Sequence, residues 1–197
     1  MKYELVKTDT KTVEGITLYR IKALTSLGSA VTAGDLGGYI EKEANLSQSG
    51  NAWVYGNAQV SGNAQVSGNA WVYGNAWVYG KAQVSGNAQV FENARVSGDA
   101  WVFENARVYG DADINGDADI NDHSDWLIIG PAKSSARFTT AYKDKKIGVR
   151  VSCGCFTGSV QEFSQQIEST HKDNKEHLEQ YRLFCQLIAF NFGVSGT

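Results

Sequence analysis

The side chains able to ligate a metal or act on a substrate are few, and most lie outside the regular part of the chain. Cys153-Gly154-Cys155 sets two thiols close together, on one face if the segment is a strand. His171 follows 16 residues after Cys155, and His177 and Cys185 sit on or near a helical segment beyond it. Thiolates and imidazoles in fours make zinc sites. The spacing here is not that of a strong Cys-x2-Cys pair, and buried free cysteines are the commoner outcome. The expected cofactor set is therefore empty, with Cys153, Cys155 and His171 the residues to watch for a metal. A second cluster is acidic: Asp111, Asp113, Asp117, Asp119, Asp122 and Asp125, with no Lys or Arg between Val108 and Asp125. Its core, Asp111-x-Asp113-x-Asn115-Gly116, follows the spacing of a calcium loop. His123 is a third candidate, since acyl transfer needs a histidine base.

The elements that carry these residues decide which chemistry is open to them. From residue 51 to 120 the chain repeats every six residues, as Asn-Ala-Trp-Val-Tyr-Gly or Asn-Ala-Gln-Val-Ser-Gly. Alanine recurs from Ala52 to Ala118, with Val or Ile two residues later each time, in twelve hexads without a break. Ala-x-Val-x is a short strand that turns Ala and Val to one side. Gly-Asn then turns the chain. Strands of identical polarity do not fold back as a meander. They stack into a parallel coil, each strand on its copy one coil away, with Ala and Val inside. Three hexads per coil give a triangular prism of about four coils, roughly 19 Å tall at ~4.8 Å per strand. Ile40 and Leu46, each preceded at two residues by Gly38 and Ala44, extend the pattern backwards. Two extra residues before Ala52 predict a bulge at Ser47-Gln48-Ser49. The general handedness of crossover connections favours a right-handed coil.

A period of 18 assigns every outward residue to one of three faces. The first carries Trp53, Tyr55, Trp71, Tyr73, Gln89, Phe91, Arg107 and Tyr109. The second runs through Gln59, Trp77, Arg95 and Asp113, the third through Gln65, Gln83, Trp101 and Asp119. The first face is an aromatic ladder. Such a strip marks an interface, or else it stabilises the sheet by cross-strand packing. As an interface it serves either self-association or a foreign partner. The prism also bears on calcium: Asp113 and Asp119 project from different faces and do not converge. A solvated acidic end, partly paired as Arg95 over Asp113 and Lys81 over Asp99, is the expectation. His123 holds a turn position given to Asn in other hexads, and no long loop leaves the prism between Ala52 and Ile120.

Composition narrows the classes further. The chain has 197 residues and a net charge of −3, so it lacks the basic surface that drives phosphate contacts, and direct nucleic-acid binding is not expected. Its longest wholly apolar run, Trp126 to Ile129, is far short of a membrane span, and the start carries no apolar signal region. Three cysteines, an odd number, point to a reducing cytoplasm.

The ends read as caps. Residues 1–34 contain strands at Tyr3–Val6 and Ile16–Ile21 with a turn at Gly15, a hairpin that would cover the open first coil. Residues 35–125 form the repeat body. Residues 126–197 read as a small α+β module, with strands at Trp126–Ile129, Ala136–Tyr142 and Ile147–Cys153. Two helices follow. Ser159 with Glu162 and Asp173 with Glu176 are capping boxes. Val160, Phe163 and Ile167 mark one buried face; Leu178, Tyr181, Phe184, Cys185, Ile188 and Phe192 mark the other, before Gly193.

Several segments resemble one family: Leu18-Tyr19-Arg20-Ile21-Lys22-Ala23-Leu24, Gly34-Asp35-Leu36-Gly37-Gly38, Glu43-Ala44-Asn45-Leu46-Ser47, the Gly-Asn-Ala-x-Val hexads, Val151-Ser152-Cys153-Gly154-Cys155-Phe156 and Thr170-His171-Lys172-Asp173-Asn174. They are similar to bacterial and phage-encoded hexapeptide-repeat proteins, labelled polymer-forming cytoskeletal proteins or transferases. The resemblance implies a left-handed parallel β-helix with triangular coils, mainly β overall, and a phage or prophage origin. It implies no catalytic residue. The resulting expectation is a non-enzymatic, phage-encoded protein-binding scaffold that acts in the bacterial cytoplasm and inhibits a host defence complex. Its contact would be the aromatic face (Trp53, Tyr55, Trp71, Tyr73, Phe91 and Tyr109, with Arg107 at the rim) or the acidic surface of Asp111, Asp113, Asp117, Asp119 and Asp122. Homo-oligomerisation is expected, as many hexapeptide proteins are trimers. The alternatives are an acyltransferase-like enzyme and a self-assembling structural protein.

Overall fold

The computed structural model describes residues 1–133 and 136–194. Its body is a parallel β-solenoid. After β1 (Tyr3–Val13), β2 (Ile16–Ala23) and β3 (Leu36–Ile40), twelve two-residue strands, β4 to β15, recur every six residues from Trp53–Val54 to Asp119–Ile120. They assemble into three walls of four, following residues 53, 71, 89 and 107, then 59, 77, 95 and 113, then 65, 83, 101 and 119. The faces drawn from the 18-residue period are the faces of the molecule. Every hexad Ala and Val or Ile is buried, forming one continuous core.

The turns explain the glycines. Gly50 has φ +69, and a Cβ there would lie 2.5 Å from the carbonyl oxygen of Gly68 one coil on. Only glycine permits both the backbone region and the approach. Two hexads break this rule: Glu92 and Glu104 occupy the same left-handed region, at φ 61 and 54. Glu92 recovers a contact, its Oε2 accepting a hydrogen bond from the Gly110 N–H at 2.7 Å.

The repeat starts where Ile40 pairs with Val60 and Leu46 with Val66. The insertion before Ala52 is visible in the hydrogen bonds. Regular positions donate to a carbonyl 17 residues on, as Trp53 does to Ala70, whereas Ser47 donates to Val66, 19 residues on. The displaced Gln48 then receives the Lys2 N–H on its Oε1 at 2.7 Å.

The bonds between coils have a polarity. Outward and turn positions of one coil donate N–H to carbonyls of the next: Trp53 to Ala70, Tyr55 to Val72, Asn57 to Gly74. For these bonds, the first coil is left with inward carbonyls to satisfy, and the last with outward and turn N–H groups.

The N-terminal hairpin β1–β2 extends the second wall through β3, with a bulge between Val6 and Thr10. Its first residues supply donors. Lys2 Nζ donates to the Ala52 carbonyl at 2.7 Å, and the Tyr3 hydroxyl lies 2.9 Å from the Glu43 and 2.7 Å from the Leu46 carbonyl oxygen.

The C-terminal module is an antiparallel sheet of β16 (Trp126–Ile129), β17 (Thr139–Asp144), β18 (Gly148–Cys153) and β19 (Phe156–Ser159), with α1 (Val160–Thr170) and α2 (Lys175–Phe192). The second strand expected in this module, Ala136–Tyr142, begins later, at Thr139, because Ala136 has φ 53, outside the extended region. Ser159 and Glu162 make the capping box, and Val160, Phe163 and Ile167 are buried. The second helix is capped by Asn174 rather than Asp173, its side chain accepting from the His177 N–H. Leu178, Tyr181, Cys185 and Ile188 are buried and Gly193 ends the helix at φ 65.

Candidate functional site

The first wall carries the aromatic ladder, and its rungs are unequal. Tyr73 stacks on Phe91 with centroids 4.9 Å apart and planes 3° apart; Phe91 stacks on Tyr109 at 5.3 Å. The spacing follows from the coil repeat, which sets identical wall positions one strand separation apart. The Arg107 guanidinium lies over the Phe91 ring at 5.4 Å, a cation–π contact. At the C-terminal end Trp126 closes the stack edge-on against Tyr109 at 5.2 Å and donates its indole N–H to the Arg107 carbonyl.

The other end stays open. Tyr55 is 54% exposed and makes no ring contact among the described residues. Tyr55, Trp71, Tyr73 and Gln89 line a shallow groove of about 330 Å³. The Tyr73 hydroxyl is 3.3 Å from Gln89 Oε1, which holds the groove floor.

Trp53 corrects the sequence expectation. Its indole is fully buried, edge-on beneath Tyr3 at 6.4 Å, and among the described residues its Nε1 has no hydrogen-bond partner. A position that points outward in the repeat becomes core because the N-terminal strand covers it. Trp53 is a packing residue and presents no surface to a partner.

The acidic coils are more covered than the solvated, partly paired end expected. The β17–β18 hairpin lies across them. Asp113 accepts from the Ser152 hydroxyl at 3.0 Å, Asp117 pairs with Lys146 at 3.0 Å, and Asp119 pairs with Lys145 at 3.5 Å. The buried Asp125 pairs with Lys143. Asp117 beside it holds the Lys146 ammonium above its ordinary pKa. Lysines of the same chain thus pair with Asp117, Asp119 and Asp125. Asp111 instead ends an amide ladder, accepting from Asn93 at 3.1 Å. Lys81 does pair with Asp99 at 3.4 Å. Arg95 turns from Asp113 and lies over the Trp77 ring at 5.6 Å.

Cys153 and Cys155 do not share a strand face. Cys153 ends β18, and Gly154 and Cys155 form the two-residue turn into β19, with Cys153 opposite Phe156. Both thiols and His171 nevertheless line one cavity, of about 550 Å³, between this turn and α1. Among the described residues no three His, Cys, Asp or Glu side chains are grouped to hold a metal ion. Cys185 is buried behind the cavity, and burial pushes its thiol up to about 11. His123 is 82% exposed and bonded to its neighbour Asp122.

Sequence reasoning missed one apolar stripe. Leu183, Leu187, Phe190 and Val194 stand exposed on α2 and beyond it, Phe190 at 88%. Their spacing of four, three and four was legible. The opposite, richer face of the same helix drew the assignment to the core. No helix in the described residues is long and apolar enough to cross a membrane.

The comparisons with known proteins bear on the repeat alone. No curated protein matches the chain. A family model described as the YdcK beta-solenoid repeat matches residues 58–71, 64–80, 82–98 and 88–104. These segments lie wholly within the three walls, so the chain is similar to a β-helix repeat family through its solenoid body.

Proposed function

We propose that the chain is a non-enzymatic protein-binding scaffold whose first solenoid wall is the contact surface. The observation that carries this reading is the asymmetry of the ladder: Trp126 closes one end, and Tyr55 stands free beside a groove at the other. A ladder serving only the sheet would stack throughout. Tyr55, Trp71 and Tyr73 are the anchors, since aromatic rings in shallow pockets dominate contact energies. Phe91 and Tyr109 make the rigid backing and Arg107 the charged rim. The resemblance to phage-encoded repeat proteins directs the search for the partner to bacterial defence complexes.

The test is affinity capture from bacterial lysate with the native protein and with a Trp71→Ser/Tyr73→Ser variant, followed by titration of the identified, purified partner. Both side chains are half-buried on the outer side of the wall, Trp71 packing against the core, so circular dichroism is used to check that the variant keeps the coil. Loss of a host complex by the variant, reproduced with the purified complex, supports the reading. Equal binding by both proteins overturns it.

A further inference from the structure

The cavity of the C-terminal module is built differently from the groove on the wall. One side is a continuous aromatic surface: Phe156 against Phe163 at 5.3 Å, Phe163 against Tyr181 at 6.0 Å, and Tyr181 stacked on His171 at 5.0 Å. Phe163, Ile167 and Tyr181 are each less than 5% exposed, so this surface is fixed by the module core. The opposite rim is the Cys153-Gly154-Cys155 turn. Arg137 lies directly over it: a Cβ on Gly154 would fall 2.5 Å from Arg137 Nη1. Glycine at this position leaves the room that the guanidinium occupies.

Charge completes the description. No Asp or Glu lines the cavity, and Arg137 is its one permanently charged group. Among the described residues the Arg137 guanidinium makes no ion pair and no side-chain hydrogen bond. The remaining polar rim is the Gln166 amide, which donates to the Thr170 hydroxyl at 2.9 Å. The volume of about 550 Å³ falls within the range of small-molecule sites, which combine apolar walls with a few directing polar groups.

We infer that this cavity binds a small organic anion: a flat aromatic body against the partly exposed rings of Phe156 and His171, with a carboxylate or sulfonate on Arg137. The guanidinium offers a planar fork to an oxyanion, which an amine or a neutral ligand does not use. The inference is independent of the contact proposed for the solenoid wall, since the two surfaces share no residue.

The probe is anilinonaphthalene sulfonate, followed by its fluorescence, beside phenylnaphthylamine, which has the rings without the charge. Saturable binding at one site per chain is expected. Arg137→Gln should weaken the sulfonate by about tenfold, the worth of one charge-assisted contact, and leave the neutral probe within about twofold. Arg137 is exposed, so unfolding is not anticipated, and circular dichroism checks it. Trp71→Ser/Tyr73→Ser should bind as the native protein does. A second measurement reads the site directly. In a Cys153→Ser variant Cys155 is the accessible thiol, Cys185 being buried, and the sulfonate should slow its reaction with iodoacetamide. Unsaturable binding, equal binding by Arg137→Gln, loss of binding in the wall variant, or an unprotected Cys155 would each overturn the inference.

Discussion

The two ends of the solenoid face one problem with opposite sign. Between coils the outward and turn N–H groups donate forward to inward and turn carbonyls, so carbonyls such as that of Ala52 are left at the first coil and N–H groups such as that of Asp113 at the last. At the first coil the cap is made of donors, the Lys2 ammonium and the Tyr3 hydroxyl, over the Trp53 indole. At the last coil the outward backbone N–H groups meet acceptors, while the Lys145 N–H donates to the Asp117 carbonyl at 3.0 Å. Asp113, Asn115 and Asp117 donate to Thr140 Oγ1, the Tyr142 hydroxyl and Asp144 Oδ2 at 3.1, 3.1 and 3.3 Å. A tyrosine serves at both ends, donating at one and accepting at the other. The caps are therefore not interchangeable, although the coils they cover share one hexad pattern.

Three changes would break or sharpen this contrast. Tyr3→Ala should do the most damage, opening the space over Trp53 and removing the hydroxyl donor from the Leu46 carbonyl. A loss of about 3–5 kcal/mol in thermal unfolding is expected, the usual cost of truncating a buried aromatic residue. A loss below about 1 kcal/mol would mean that the N-terminal strand is dispensable. Asp144→Asn is next. Burial raises the Asp144 carboxyl, but hydrogen bonds from Arg150 and from the N–H groups of Lys146 and Ile147 outweigh it and hold the pKa below its ordinary 3.8. Its stabilisation is thus present above the unfolded pKa and lost as pH falls through the lower folded value. The variant should cost about 1–3 kcal/mol at neutral pH and flatten the acid limb. Amide exchange should rise first at Asn115 and Asp117, not at the first coil.

Lys2→Met is the mildest. Burial lowers the Lys2 pKa from 10.5 to about 8. Between those values the unfolded chain holds the proton more tightly, so native stability should rise with pH across that window. The stability difference between native protein and variant should shift on the order of 1 kcal/mol per pH unit at most. A pH-independent difference would show that the Lys2 ammonium is better hydrated than its position over Ala52 implies.

The walls were legible in the sequence because spacing alone sets them: a strict period of 18 leaves no freedom over which residues align. The same argument misplaced Trp53, since its burial depends on Tyr3, fifty residues earlier, and no periodicity connects the two. The covering of Asp113, Asp117 and Asp119 was also hidden. Lys143, Lys145 and Lys146 fall between two expected strands, and this basic run after the acidic one was the clue to their pairing. Cys155 was misassigned to a strand because the two-residue turn at Gly154 was overlooked.

The coil register also makes the molecule a ruler. Adding or removing 18 residues would change the distance between the open groove and the C-terminal cavity by one strand spacing, about 4.8 Å. The walls would still meet each cap in the same orientation. Distance between the two surfaces can thus be changed in whole steps without turning one relative to the other, as floors are added to a stairwell whose doors all face the same way.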